Sequence, residues 1–178
     1  MLQLKLPKIR LFKEATEEYV YYEPLTVKLE HSLISIQRWE SKWHKSFLSA
    51  ESLTQEELFD YIRCMSLNPD IDPTFVSRLT PDDFNKIREY MNEPMTATVI
   101  HRSKPRGGRP PIITAELIYY WMTAYNIPFE CSKWHIKQLL TLVEVCSVKS
   151  NPGGKTRGTA AERAAMNKAR RAKTGSKG

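Results

Sequence analysis

The sequence has no long uninterrupted hydrophobic run. Its 178 residues are 41% hydrophobic and 26% charged, and no stretch approaches the roughly 18 apolar residues of a membrane-spanning helix. We therefore expect a soluble chain with no membrane partner. Residues 1–12 mix leucines with Lys5, Lys8 and Arg10 and lack the apolar segment of a secretory signal, so we expect the protein to act inside a cell.

Cysteine is scarce. The three cysteines, Cys64, Cys131 and Cys146, are too few and too widely spaced for a disulfide framework, which indicates a reducing compartment and buried thiols. Cys131 and His135 are four residues apart, a spacing that would place them on one helical face as a thiolate–imidazole pair or half of a metal site. A tetrahedral site needs more ligands, so we favour a structural role and predict neither a metal nor a cofactor.

Catalytic motifs are missing as well. The sequence contains no phosphate-binding glycine loop, no nucleophile elbow and no paired-histidine metal helix. Residues 153–156 (GGKT) resemble the end of a P-loop, but the first glycine of that motif would fall at position 149, which is lysine. We therefore predict no catalytic residues and a protein that is not an enzyme.

Positive charge is concentrated at one end of the chain. Residues 149–178 contain nine basic residues and one acid, a charge of +8, whereas the whole chain carries +7. The first 148 residues are therefore nearly neutral. The basic end is suited to phosphate or to acidic protein surfaces, although such tails are often only solvated.

Strand patterns occur near the N-terminus. Leucine and valine alternate with polar residues over 2–6 and 25–29, which predicts two half-buried strands in a β-hairpin or small meander. Residues 14–23 could supply a further strand between them.

Helical patterns follow from residue 32. Ile36, Trp39, Trp43 and Phe47 recur at spacings of three and four, which predicts a helix with an aromatic stripe. Thr54 and Glu57 have capping-box spacing, so a second helix should run to about Leu67. Asp72-Pro73 predicts a short helical turn, and Thr80-Pro81 begins a third helix with Phe84, Ile87 and Met91 on its buried face.

The C-terminal part divides into a hinge, two helices and a tail. Residues 101–113 are rich in proline, glycine and cations, which predicts a basic hinge. Helices predicted at 114–125 and 134–148 would form an αα-hairpin, and residues 151–178 a flexible basic tail. The prediction is an α+β protein, mostly helical, whose N-terminal hairpin and helical core span residues 1–100.

Tryptophan is abundant for a chain of this size. Trp39, Trp43, Trp121 and Trp134 each lie on an apolar helical stripe, where such residues are more often core than surface. Four tryptophans could also form an aromatic groove for apolar helices of another protein. These four are the candidate partner-binding residues.

Five segments share a resemblance to one protein family. They are LEHSLISIQRWESKW at 29–43, PMTAT at 94–98, IYYWM at 118–122, IPFECSKWH at 127–135 and NKARRAKTG at 167–175. These segments, which are spread between residues 29 and 175, resemble tail assembly chaperones of long-tailed bacteriophages. The resemblance implies a protein of the bacterial host cytoplasm that holds the helical, aggregation-prone tape-measure protein while tail subunits polymerise around it. It leaves open whether the chain forms a homo-oligomer.

Two other functions stay open. A structural virion protein of the tail or connector would be present in purified particles at fixed stoichiometry. A small nucleic-acid-binding protein would use the basic hinge, whose PRGGRP segment at 105–110 is close to the core of an AT-hook apart from one extra glycine, together with the tail. The cations concerned are Arg102, Lys104, Arg106 and Arg109 in the hinge and Arg170, Arg171 and Lys173 in the tail.

Overall fold

The computed structural model describes residues 1–14, 17–68, 71–98 and 111–150. The chain divides into two compact units, residues 1–145 and 146–178, and only residues 146–150 of the second are described. The predicted tail at 151–178 and most of the predicted hinge, residues 101–110, lie outside the described residues. The fold is α+β and mostly helical, as predicted.

Two short antiparallel sheets follow one another at the N-terminus. β1 (Leu2–Leu6) pairs with β4 (Leu25–Leu29), and β2 (Ile9–Lys13) pairs with β3 (Glu18–Tyr22). The predicted pairing of the outer two strands is confirmed, and so is a further strand within 14–23. β2 has no counterpart among the predicted strands.

Prolines separate the two sheets. Pro7 lies between β1 and β2 and Pro24 lies between β3 and β4, and a proline cannot donate a ladder hydrogen bond. Arg78 bridges the interruption, because its Nη2 donates to the carbonyl oxygens of Pro7 at 2.8 Å and Glu23 at 2.9 Å. The guanidinium therefore joins the outgoing and returning chains at the point where the ladder is broken.

The first helix, α1 (Leu33–Trp43), begins after the cap residue Ser32, the position from which the sequence predicts a helical pattern. The prediction that its aromatic stripe extends to Phe47 is wrong. His44 adopts a left-handed conformation with φ 53° and ends the helix. Phe47 stacks instead on Tyr61, with the ring centroids 3.8 Å apart.

The second helix, α2 (Gln55–Cys64), starts with the predicted capping box. The Glu57 backbone N–H donates to Thr54 Oγ1 at 3.2 Å, and the Thr54 N–H donates to Glu57 Oε2 at 2.8 Å. The helix ends before Leu67, the predicted last residue, because the chain turns to pair with β4. The Leu67 N–H donates to the Lys28 carbonyl oxygen at 2.9 Å.

The third helix, α3 (Pro81–Asn92), also begins as predicted. Thr80 and Asp83 cap each other reciprocally, and proline occupies the first helical position. The helical turn predicted at Asp72-Pro73 is a 3₁₀ helix, Pro73–Arg78. These starts follow local rules, since each cap satisfies backbone N–H groups that have no partner in the first turn.

Two further helices complete the described chain. α4 (Ala115–Ala124) is followed by a 3₁₀ helix, Phe129–Lys133, and by α5 (Ile136–Ser150), in the predicted helix–turn–helix order. α5 begins two residues after the predicted Trp134, and its first N–H donates to the His31 carbonyl oxygen at 2.7 Å. No described helix has the length and apolarity that crossing a bilayer requires.

The core is built from helix contacts and from one face of the first sheet. α1 packs against α2 and α4, and β1 contacts α3. Leu4 and Leu6 of β1 and Val27 and Leu29 of β4 are buried, while the residues between them are exposed, as the period-2 pattern predicted. The largest fully buried helical side chains include Trp39, Tyr61, Ile62, Ile87, Ile118 and Met122.

Candidate partner-binding site

The four candidate tryptophans differ in exposure. Trp39 is 0% exposed, and its indole N–H donates to the Glu57 carbonyl oxygen at 2.9 Å. Trp39 is therefore a core residue, and the prediction that it contributes to a partner-binding surface is wrong. Trp43 and Trp121 are half-buried, and Trp134 is 40% exposed.

Trp43 contacts α2 through its indole ring. Its indole N–H donates to Asp60 Oδ2 at 2.9 Å, and the ammonium groups of Lys42 and Lys45 lie 5.9 and 6.0 Å from its ring. Lys42 Nζ also pairs with Asp60 Oδ1 at 2.6 Å, and Lys45 Nζ with Glu57 Oε1 at 2.6 Å. This arrangement joins the end of α1 to α2 and leaves little of the indole for a partner.

The candidate cations of the hinge and tail all lie outside the described residues. They are Arg102, Lys104, Arg106, Arg109, Arg170, Arg171 and Lys173.

Cys131 and His135 do not share an α-helix, so the predicted common helical face is wrong. Cys131 lies in the second 3₁₀ helix and His135 precedes α5. His135 Nδ1 accepts the Lys137 backbone N–H at 3.3 Å, which leaves Nε2 to donate to the Tyr90 carbonyl oxygen at 3.1 Å. Burial raises the pKa of the Cys131 thiol and lowers the pKa of His135, so both groups are neutral at physiological pH. Among the described residues, no three potential ligands cluster as a metal site would require.

An apolar concavity lies between α2 and α3 and has a volume of about 550 Å³. We call it the α2–α3 groove. Each helix contributes a stripe at spacings of three and four residues, as expected when one face of a helix lines a surface. The stripes are Gln55, Leu58, Phe59 and Ile62 from α2, and Phe84, Ile87, Arg88, Met91 and Asn92 from α3; His31, Phe47, Leu48 and Lys137 complete the lining.

The floor of the groove is buried and uncharged. His31, Ile62 and Ile87 are buried there. A hydrogen bond joins His31 Nδ1 to the Tyr61 hydroxyl. Burial lowers the pKa of His31 to about 3, with smaller contributions from the electrostatic effects of the neighbouring His135 and Lys137 side chains. The imidazole is therefore neutral at physiological pH and presents no charge to an apolar ligand.

The rim of the groove is cationic. Arg88 is exposed on α3, and Lys137 Nζ donates to the Asn92 carbonyl oxygen at 2.6 Å. None of the described lining residues carries a carboxylate. The groove therefore combines an apolar interior with positive charge along one side.

Part of this groove was predicted as core. The pattern assigns Phe84, Ile87 and Met91 to the buried face of the third helix. Ile87 is buried, but Phe84 and Met91 are only half-buried and line the open groove. The apolar stripe identifies a face that avoids water, and it does not show whether another element of the same chain covers that face.

A second exposed aromatic surface lies on the β2–β3 sheet. Phe12, Tyr19 and Tyr21 are all more than half exposed, and the register places them on the same face as Arg10. The Arg10 guanidinium carbon lies 4.5 Å from the Tyr19 ring centroid. No prediction from the sequence included this surface, because β2 itself was not predicted.

Comparison of this chain with protein-family models, with curated proteins and with solved structures finds no match.

Proposed function

We propose that this protein is a tail assembly chaperone of a long-tailed bacteriophage. In this proposal it binds the tape-measure protein in the host cytoplasm and holds it soluble, without catalysis, while the tail tube polymerises. The observation that carries the proposal is the open α2–α3 groove, which offers an apolar surface to a partner. The resemblance of residues 29–43, 94–98, 118–122, 127–135 and 167–175 to tail assembly chaperones supports the identity of that partner.

The groove suits a protein that must hold its partner and then release it. Each large apolar side chain that enters such a groove contributes roughly 1.5–3 kcal/mol of burial. Association itself costs about 4–15 kcal/mol. Three or four anchoring side chains therefore leave at most about 8 kcal/mol, which corresponds to micromolar binding that tail subunits could displace during polymerisation.

The direct test is affinity capture of the full chain from phage-infected cells that produce it. Capture is done with and without nuclease, and co-purifying polypeptides are identified by mass spectrometry. We expect recovery of a very long, helical tape-measure polypeptide that survives nuclease and moderate salt. A parallel analysis of purified virions should find the protein absent.

Three results would contradict the proposal. Fixed stoichiometry in virions would indicate a structural tail or connector protein. Recovery of nucleic acid alone, lost as salt increases, would indicate nucleic-acid binding. Failure to recover a tape-measure polypeptide from cells that express it would show that this protein does not act as its chaperone.

A further inference from the structure

Both walls of the α2–α3 groove are helices, and this restricts the backbone that it can accept. The N–H and C=O groups of α2 and α3 are largely paired within each helix, so the groove offers no strand edge to an extended peptide. An occupant must therefore satisfy its own backbone hydrogen bonds, as an α-helix does. Leu58, Phe59, Phe84 and Met91 are half-buried and available to the apolar side chains of such a helix.

The charges on the rim specify what should border those apolar side chains. Arg88 and Lys137 both line the groove, and the hydrogen bond from Lys137 goes to the neutral carbonyl of Asn92. The acidic residues Glu89, on α3, and Glu93, directly after α3, line a different cavity beside β1. The described part of the groove lining therefore holds two cations and no acid of its own.

We propose that the α2–α3 groove binds an amphipathic α-helix whose apolar stripe is bordered by acidic side chains, with carboxylates facing Arg88 and Lys137. This inference rests on the proposed function and specifies the part of the partner that the groove takes. Two other occupants have the wrong charge. Residues 149–178 of this chain carry nine basic residues and one acid, and a second copy would bring two cationic rims together.

The test uses the full chain and two fluorescently labelled synthetic helices of about 20 residues, which are ~30 Å long when helical. Both peptides carry the same leucine and phenylalanine stripe at i, i+3, i+4 and i+7. One has glutamate on both borders of the stripe and the other has lysine. Fluorescence anisotropy at about 50 mM salt, where exposed charges are weakly screened, gives the two Kd values.

We expect the glutamate peptide to bind about tenfold more tightly than the lysine peptide, because two attractive pairs replace two repulsive ones. The double variant Arg88→Glu, Lys137→Glu should reverse this preference. The matched double variant Lys86→Glu, Lys133→Glu changes the net charge equally at residues outside the groove lining, and it should keep the original preference. Circular dichroism of all three proteins checks that the fold is retained.

Equal binding of both peptides, or a preference that the groove variant does not reverse, would overturn the inference. Displacement of the peptide by palmitate at similar affinity, without any preference between the peptides, would also overturn it and indicate a fatty-acid site. The outcomes separate this inference from the proposed function. If tape-measure capture survives Arg88→Glu, Lys137→Glu, the proposed function stands but the groove is not the site of binding. If the peptides bind with charge selectivity but no tape-measure protein is captured, the groove inference stands and the proposed function is wrong.

Discussion

The ring of Phe59 on α2 stacks against the ring of Phe84 on α3, with the centroids 5.5 Å apart and the planes inclined by 24°. Both rings are half-buried and line the α2–α3 groove. The contact joins two helices that are separated in sequence by a 3₁₀ helix. The same side chains therefore support the fold and form the apolar surface proposed for a partner.

Replacing Phe84 with alanine should affect binding more than folding. The ring is only half-buried, so Phe84→Ala should lower the free energy of unfolding by about 1–2 kcal/mol, less than the roughly 3–5 kcal/mol for a fully buried phenylalanine. Capture of the tape-measure protein should weaken at the same time. Urea unfolding and capture measure the two effects.

Phe129→Ala is the control for that variant. Phe129 is 59% exposed and does not line the groove, so its removal should change the free energy of unfolding by less than about 0.5 kcal/mol and leave capture intact. Equal loss of capture in both variants would show that the α2–α3 groove has no special role.

The tryptophans should separate into a core residue and a surface residue. Trp39→Ala removes a fully buried ring and the donor to the Glu57 carbonyl oxygen, so it should cost about 3–5 kcal/mol of unfolding free energy. Trp134→Ala should cost clearly less, because its side chain is 40% exposed and buries only part of the ring. Chemical denaturation followed by circular dichroism gives both values, and similar losses would contradict the assigned burial.

Stability should fall in mild acid because of His31. In the unfolded chain His31 takes up a proton below about pH 6.5, whereas burial lowers its pKa in the folded protein to about 3. Above pH 6.5 His31 is neutral in both states and does not reduce the free energy of unfolding. As the pH falls from 6.5 toward 3, only the unfolded chain binds the proton, so the free energy of unfolding decreases. The loss is about 1.4 kcal/mol for each pH unit below 6.5, or about 2 kcal/mol at pH 5.

His31→Asn should reduce this dependence in urea unfolding between pH 7 and pH 5, because asparagine does not titrate there, and the remaining slope comes in part from His135, whose pKa burial also lowers. The matched control is His44→Asn. His44 is exposed, and asparagine tolerates the left-handed backbone at that position, so the pH dependence should stay unchanged. The same slope in both variants would contradict the assignment to His31.

Arg78 should hold the β2–β3 sheet in place. A two-stranded sheet is marginally stable alone, and this guanidinium bonds the carbonyl oxygens on both sides of the break in the ladder. Arg78→Ala should therefore raise amide hydrogen exchange in β2 and β3 by about tenfold or more while α1 stays protected. Arg38→Ala, at an exposed position on α1, is the control and should leave exchange in the sheet unchanged.

Local features of the fold were predictable where neighbouring residues decide them. The caps at Ser32, Thr54, Thr80 and Thr114 satisfy backbone N–H groups within the next turn, so a short sequence window contains all the information. The alternation in β1 and β4 was equally informative, because one face of each strand meets the core. These signals give the α+β class and most helix starts.

The candidate site was predictable only in part. The apolar stripes of α2 and α3 are visible in the sequence, but the pattern cannot distinguish a stripe covered by the core from one that lines a groove. The four tryptophans show the same difficulty, since Trp39 and Trp134 both lie in apolar surroundings in the sequence and differ widely in exposure. Arg88 and Lys137, from two distant helices, become neighbours of one groove only when the chain folds.

The sequence by itself determined most of the helix starts, the strand alternation and the concentration of positive charge at residues 149–178, because each depends on residues close together in the chain. Tertiary structure alone decided that α2 ends at Cys64, shortly before Leu67 pairs with Lys28, and that Phe47 packs on Tyr61 instead of continuing α1. It also decided that none of the described residues fills the space between α2 and α3. These features depend on contacts between segments distant in sequence, and burial and hydrogen bonding there outweigh the propensity of any single segment.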